Sequence, residues 1–302
     1  MEQNRDKNFR LFDILYLLMM ILPLVAGILL KILTKPAAEG IAITGAQIYF
    51  TIPMPLQDFP ITESQINSAL VIIAVLGLCL FLTHGLTSVP GAKISKRQAM
   101  AEWIIEMTEK LVKENMGEYF AAFPPFIGAI MALSAFSSLL ALLGLYPPTS
   151  DLNIVGGWAI LVFILITYYK MKCGPLHYVK TLCDPIPLTP LNVISEVATP
   201  VSMAFRHYGN ILSGSVISVL VAAALQGLSS MLLGWLPGFL GDIPFLQVGL
   251  PAILSVYFDV FSSLLQAFIF AMLTMLYIGS GFPADEWEKL KAKKTAAKAA
   301  NS

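Results

Sequence analysis

Charge is scarce in this chain. Only 13% of its 302 residues are Asp, Glu, Lys or Arg, while 57% are hydrophobic and the mean hydropathy is +0.75, so no soluble domain is left over. Acidic and basic residues balance at zero net charge, which gives the chain as a whole no reason to bind nucleic acid or another polyanion. Cysteine is nearly absent. Cys79, Cys173 and Cys183 are odd in number and lie in or near apolar or Lys-flanked segments, so reduced structural thiols are expected rather than a disulfide. The three histidines are scattered, and neither H-E-x-x-H nor C-x-x-C occurs, so neither a metal site nor a cofactor is expected. Without G-x-x-x-x-G-K-[ST] or clustered catalytic groups, nucleotide hydrolysis and intramembrane proteolysis are not readable either.

What is present is a series of long apolar runs, the pattern of an all-α polytopic membrane protein. Residues 11–33 are long enough to span and follow Arg5, Lys7 and Arg10; about 20 apolar residues exceed a signal-peptide core, so an uncleaved first helix is expected. A polar, Pro-containing connection covers residues 34–65, and a second span residues 66–89. Pro90 and Gly91 break it. Residues 94–117 then interleave Lys96, Arg97, Lys110 and Lys113 with Trp103, Ile104, Met107 and Leu111, as a helix on the cytoplasmic surface would. Spans three and four are expected at about 123–145 and 154–172, joined by a tight loop, PPTSDLN. A basic loop punctuated by Gly and Pro follows, up to residue 188. A basic tail, 281–302, closes the chain.

The last two apolar segments are too long to stand upright. At 1.5 Å per residue the run at 190–235 would reach about 69 Å and the run at 249–280 about 48 Å, against a hydrocarbon core of about 30 Å. They are expected to form a long tilted hairpin, the first tilting throughout or breaking at Gly227 and Gly234. Six spans with both termini cytoplasmic put sixteen of the nineteen Lys and Arg residues inside. Glu39, Asp58, Glu63, Asp151 and Asp242 then fall outside.

Within the hairpin sits a permanent charge. Arg206 lies in apolar sequence where a guanidinium costs roughly 2.5–3.5 kcal/mol on insertion scales and cannot escape by deprotonating. It snorkels or it has a purpose. Ser202, Arg206, Asn210 and Ser213 recur at helical spacing, one polar stripe on an apolar helix. In the last span Ser255, Asp259, Ser262, Gln266 and Tyr277, with Thr274 near the same face, form a second stripe. Setting Arg206 level with Gln266 in an antiparallel pair brings Ser215 and Asp259 within about 3 Å of the same depth, near enough to face one cavity. Asp259 is a titratable candidate, or a protonated acid bonded to neighbouring backbone. Glu196, about 15 Å inward of Arg206, either lines an access path or bridges to the basic loop. His207 points about 100° from Arg206, toward packing or a lipid-side hydrogen bond.

The run Pro190, Asn192, Glu196, Pro200, Ser202, Arg206, Gly209, Asn210 resembles the signature of subunit a of the bacterial F-type ATP synthase. LLQAFIFAMLTMLYIG around Gln266, YPPTSDLN at 146–153 and PGAKISKRQAMAEWIIEMTEKLVKENMG at 90–117 agree with it in order, over about residues 50–280. The resemblance implies a membrane stator in the bacterial inner membrane beside a rotating c-subunit ring and a b-subunit peripheral stalk, with no chemistry on ATP itself. It implies that Arg206 meets the c-ring carboxylates and separates two half-channels, an outer one past Asp259 and Ser215 and an inner one near Glu196, with Gln266, Asn210, Ser202 and Ser262 also on the ion pathway. Two departures stand out. The family commonly carries a carboxylate at the place of Ser215, and Leu and Phe where His207 and Tyr208 stand. Residues 1–65 look like an addition to the family's 66–302 body. Proton and Na⁺ coupling are both open, because that choice rests mainly on ligands in the partner ring, and a secondary ion-coupled transporter, which also buries charge in helices, is the alternative reading.

Overall fold

The computed structural model describes residues 2–34, 45–55, 57–86, 95–233, 249–289 and 292. Lys35, Glu39, Pro90, Gly91, Lys93, Gly234, Asp242 and the tail from Lys293 onward lie outside the described residues, as do Leu290 and Lys291. Six helices among the described residues are long and apolar enough to cross a membrane. The chain is an all-α polytopic membrane protein, as its composition implies.

Helix α1 (Glu2–Thr34) lies against α2 (Glu63–Thr83). Glycine permits the closeness. A Cβ on Gly77 would meet the backbone of Met20 at 2.8 Å and of Met19 at 3.0 Å, so only a residue without a side chain lets the two backbones approach this far. Polar contacts close both ends of the pair. At the end beside α3, Asp13 accepts from Arg97 Nη1 at 2.8 Å and contacts His84 Nδ1 at 2.9 Å. At the opposite end Lys31 Nζ sits 3.2 Å from Glu63, which also accepts the Tyr146 amide at 3.2 Å.

The connection expected to be irregular contains a β-hairpin, β1 (Ile48–Ile52) antiparallel to β2 (Phe59–Thr62). IYFTI is rich in β-branched and aromatic residues, but Pro60 and the shortness of both strands hide the signal. A two-stranded ribbon is marginal alone. This one is anchored where the Glu63 amide donates to Gln47 O at 2.7 Å, at the start of α2.

Helix α3 (Lys96–Met116) begins at Ser95, whose hydroxyl accepts the Gln98 amide at 3.2 Å, and ends at Gly117 with φ +83°. Ala101, Val112 and Met116 face the bundle, while Trp103, Ile104 and Met107 are exposed, the two-sidedness expected of an interfacial helix. Helices α4 (Pro124–Leu139) and α5 (Leu152–Lys170) follow. The basic loop after α5 is a further correction, since it holds a short helix, α6 (Pro175–Leu182). Its Gly-Pro was read as a break; Gly174 at φ +111° and Pro175 in the first turn instead start a helix.

Helix α7 (Thr189–Leu233) is continuous for 45 residues, about 68 Å, passing through Pro200 and Gly227 without ending. Of the two alternatives for this segment, the helix shows no break at Gly227, and Gly234 lies outside the described residues. Opposite it run α8 (Leu250–Ser255), a π-helical stretch (Val256–Ser262) and α9 (Ser263–Gly281), one after another without interruption. The main core gathers Val112 and Met116, Phe123, Ile127 and Ile130, Val162 and Ile166, Met203, and Phe270, Met275 and Ile278. Helix α9 is thus the central post, and α7 stands on its flank.

Candidate functional site

Two contacts set the register of the hairpin. Ser262 Oγ donates to Asn210 Oδ1 at 3.0 Å, and a Cβ on Gly214 would lie 3.0–3.1 Å from the Phe258 side chain. Asn210 is four residues after Arg206 and Ser262 four before Gln266; Gly214 and Phe258 are eight after and eight before. Both pairs therefore share the register that sets Arg206 level with Gln266.

Level does not mean facing. The buried side of α7 runs through Met203, Ala204, His207 and Gly214, packed chiefly on α5, and this leaves Ser202 and Arg206 exposed on the outer side. No carboxylate pairs with Arg206 among the described residues. Gln266 is 5% exposed and shares the core face of α9 with Ala267 and Phe270. No hydrogen bond joins Gln266 to Arg206 among the described residues.

The stripe expected in the last span is interrupted. Seven residues around Asp259 are wound as π-helix, where Ser263 Oγ reaches back five residues to Phe258 O at 3.1 Å. A π turn rotates less per residue than an α turn, so Ser255, before the stretch, and Asp259, within it, are turned off the line that α-helical spacing from Gln266 would give. Ser255 donates its hydroxyl to Asp259 Oδ2. The acid is thus held by a hydroxyl one turn earlier rather than by backbone. Ser215 is exposed and donates to Leu212 O at 2.8 Å. Ser213 donates to Asn210 O at 3.0 Å. Ser215 and Asp259 lie at neighbouring depths, each tied to its own helix.

Glu196 makes the bridge to the basic segment, and it also borders a cavity. Lys170 Nζ, at the end of α5, donates to both Glu196 oxygens at 2.8 Å, and Tyr178 OH donates to Oε1 at 3.3 Å. Burial first, then the Glu196 carboxylate, raises the Tyr178 pKa above the ordinary phenol value, which keeps it a donor. The same carboxylate lines a polar cavity of about 490 Å³ with His177, Asp184 and Asn192, and a second of about 250 Å³ with Thr199 and Tyr277. Sequence reasoning counted Lys170 only as a loop charge. Its one signal was the alternative of a bridge from Glu196 to the basic segment.

His207 is fully buried. Its Nε2 lies 3.2 Å from Ser134 Oγ, Trp158 and Phe270 pack against the ring, and Nδ1 has no hydrogen-bond partner among the described residues. The lipid-side alternative is corrected: α5 and α9 cover the position. No cluster of three metal-binding side chains occurs among the described residues.

The family model described as ATP synthase A chain matches residues 66–279. The chain is 32% identical to ATP synthase subunit a 3 of Pelobacter propionicus over 231 residues, 74% of this chain and 90% of that protein. It is 32% identical to ATP synthase subunit a of Trichlorobacter lovleyi over 214 residues, 69% and 82% of the two chains. It is 26% identical to ATP synthase subunit a of Legionella pneumophila over 230 residues, 75% and 89%.

Proposed function

Since the chain belongs to the ATP synthase A chain family, we propose that it is the stator ion-translocating subunit of an F-type ATP synthase, with Arg206 as the charge that meets the ring. The observation that carries this is the exposed guanidinium on a membrane-length helix with no carboxylate partner among the described residues. A permanent cation in that setting requires an anion from another chain, and a ring carboxylate is of the right chemistry and depth.

In this reading an ion reaches a ring carboxylate from outside along the Asp259 and Ser215 side of the hairpin and neutralises it, so the site can turn through lipid. After nearly a full turn the ion leaves inward through the cavities at Glu196, and the emptied carboxylate is drawn to Arg206. The guanidinium also blocks a direct leak between the two half-channels, because it repels any cation that would cross. Each charge crossing 100 mV supplies about 2.3 kcal/mol, so several must be gathered for one ATP, which is made elsewhere in the complex. The basic inner loops support cytoplasmic termini and a b-subunit stalk on that side, and the match beginning at residue 66 supports treating residues 1–65 as an addition. Purification under mild detergent tests the assignment: a ring of small hairpin subunits should come away with the protein. Recovery without such a ring from membranes that contain it would overturn the reading.

A further inference from the structure

At the inner end of α7 the two cavities are arranged in series. They share Lys170, Ser195, Glu196, Ser280 and Gly281 as walls; Thr199 and Tyr277 belong only to the smaller, Thr181 and Phe282 only to the larger. Thr199 follows Glu196 toward Arg206, and Tyr277 precedes Gly281 on the antiparallel α9, so the smaller cavity lies deeper. The wall between them is an ion pair. Gly281 guides it: a Cβ there would stand 3.0 Å from Lys170 Cε and 3.2 Å from Cγ, so the aliphatic stem lies across α9 and delivers the ammonium to α7.

Resting on the reading of this end as the inner half-channel, we propose that the Lys170–Glu196 pair is a barrier that passes protons and refuses Na⁺. A sodium ion must replace its water with protein oxygens, and the carboxylate it would use has both oxygens occupied by Lys170 Nζ, with Tyr178 on Oε1 as well. The ammonium already fills the cation seat and repels a second cation at contact distance. A proton displaces nothing. It adds to a Glu196 oxygen from water in the deeper cavity, leaving a neutral carboxyl beside the ammonium, and departs from that carboxyl to water in the outer cavity. His177 and Asp184 on the outer side, Tyr178 on α6 and Tyr277 on α9 are the other titratable groups around the pair.

Thiol chemistry in the assembled complex tests this. In inverted vesicles, with Cys79, Cys173 and Cys183 replaced by Ser, Thr199→Cys reports on the deeper cavity and Thr181→Cys on the outer one. Each is treated with Ag⁺ and with neutral methyl methanethiosulfonate, and the Thr199→Cys rate is divided by the Thr181→Cys rate for each reagent. With Lys170 present the ratio for Ag⁺ should be at least about tenfold below that for the neutral reagent. Lys170→Met should bring the ratios together, and Lys170→Arg should restore the difference. Equal ratios in the parent, a Lys170→Met chain that still excludes Ag⁺, or a Thr199→Cys inert to both reagents would each overturn the proposal. The stator reading fails separately, through an Arg206 variant that still makes ATP, which leaves this labelling pattern untouched.

Discussion

Ser262 donates its hydroxyl to the Asn210 carboxamide across 3.0 Å, and this bond ties the last helix to α7 one turn from Arg206. It joins a residue of each polar stripe across the hairpin. Above it Gly214 admits Phe258, and below it Gln266 turns into the core, so the guanidinium is left alone on the outer surface.

Replacing Arg206 by Ala should abolish ion-driven ATP synthesis while the complex still assembles, because an exposed side chain contributes little to packing. Arg206→Lys should also lose most activity, about tenfold or more, since a point charge lacks the planar two-donor contact with a carboxylate. ATP synthesis in reconstituted vesicles decides it, and a near-normal rate for Arg206→Ala would remove Arg206 from the mechanism.

Asp259→Asn should strongly depress ion flow, and adding Ser215→Glu should restore a substantial part of it. Ser215 is exposed at nearly the depth of Asp259, so a longer acid there places a second carboxylate at that level of the hairpin. The three strains are compared at matched expression by ATP synthesis in inverted vesicles. A double variant no better than Asp259→Asn would refute the exchange.

Gly77→Ala should destabilise the α1–α2 pair by about 1–3 kcal/mol, because the new Cβ meets backbone atoms, which cannot move aside. Gly27→Ala should cost less, since its nearest neighbour at 2.9 Å is the Leu70 Cδ1 methyl, which can rotate. Thermal melting of the purified complex, or crosslinking between α1 and α2, gives the order. Equal effects would contradict it.

Cysteine labelling in intact cells should reach Asp58→Cys from outside, while Lys289→Cys should react only in inverted membranes. Labelling of Lys289→Cys in intact cells would reverse the orientation.

The long apolar runs and the antiparallel register were legible because hydropathy and a period near 3.6 persist over many turns. The β-hairpin at 48–62 was not, since strands of five and four residues give too few alternations to stand out from a polar connection. The π stretch was hidden for a different reason. Its polar residues, Ser255, Asp259 and Ser262, fit an α-helical period by spacing alone, and only the backbone shows that the winding has changed. Lys170 and Glu196 are 26 residues apart, so their meeting depends on how α5 and α7 return to the same end. Gln266 was placed at the right depth with the wrong outlook, because depth follows from counting whereas facing depends on which neighbour α9 packs against.

The buried ring of His207 has a mechanical consequence. A helix of 45 residues held only by greasy contacts could roll about its long axis, and a rotor pulling sideways on Arg206 would supply the torque. His207 is the very next residue, keyed into the body by Ser134 and wedged between Trp158 and Phe270, while two turns along Phe258 fills the notch at Gly214. If Arg206 meets a turning ring as proposed, a load on the guanidinium would pass within one residue into α4, α5 and α9, and the part that has to stay still would be braced where the push arrives.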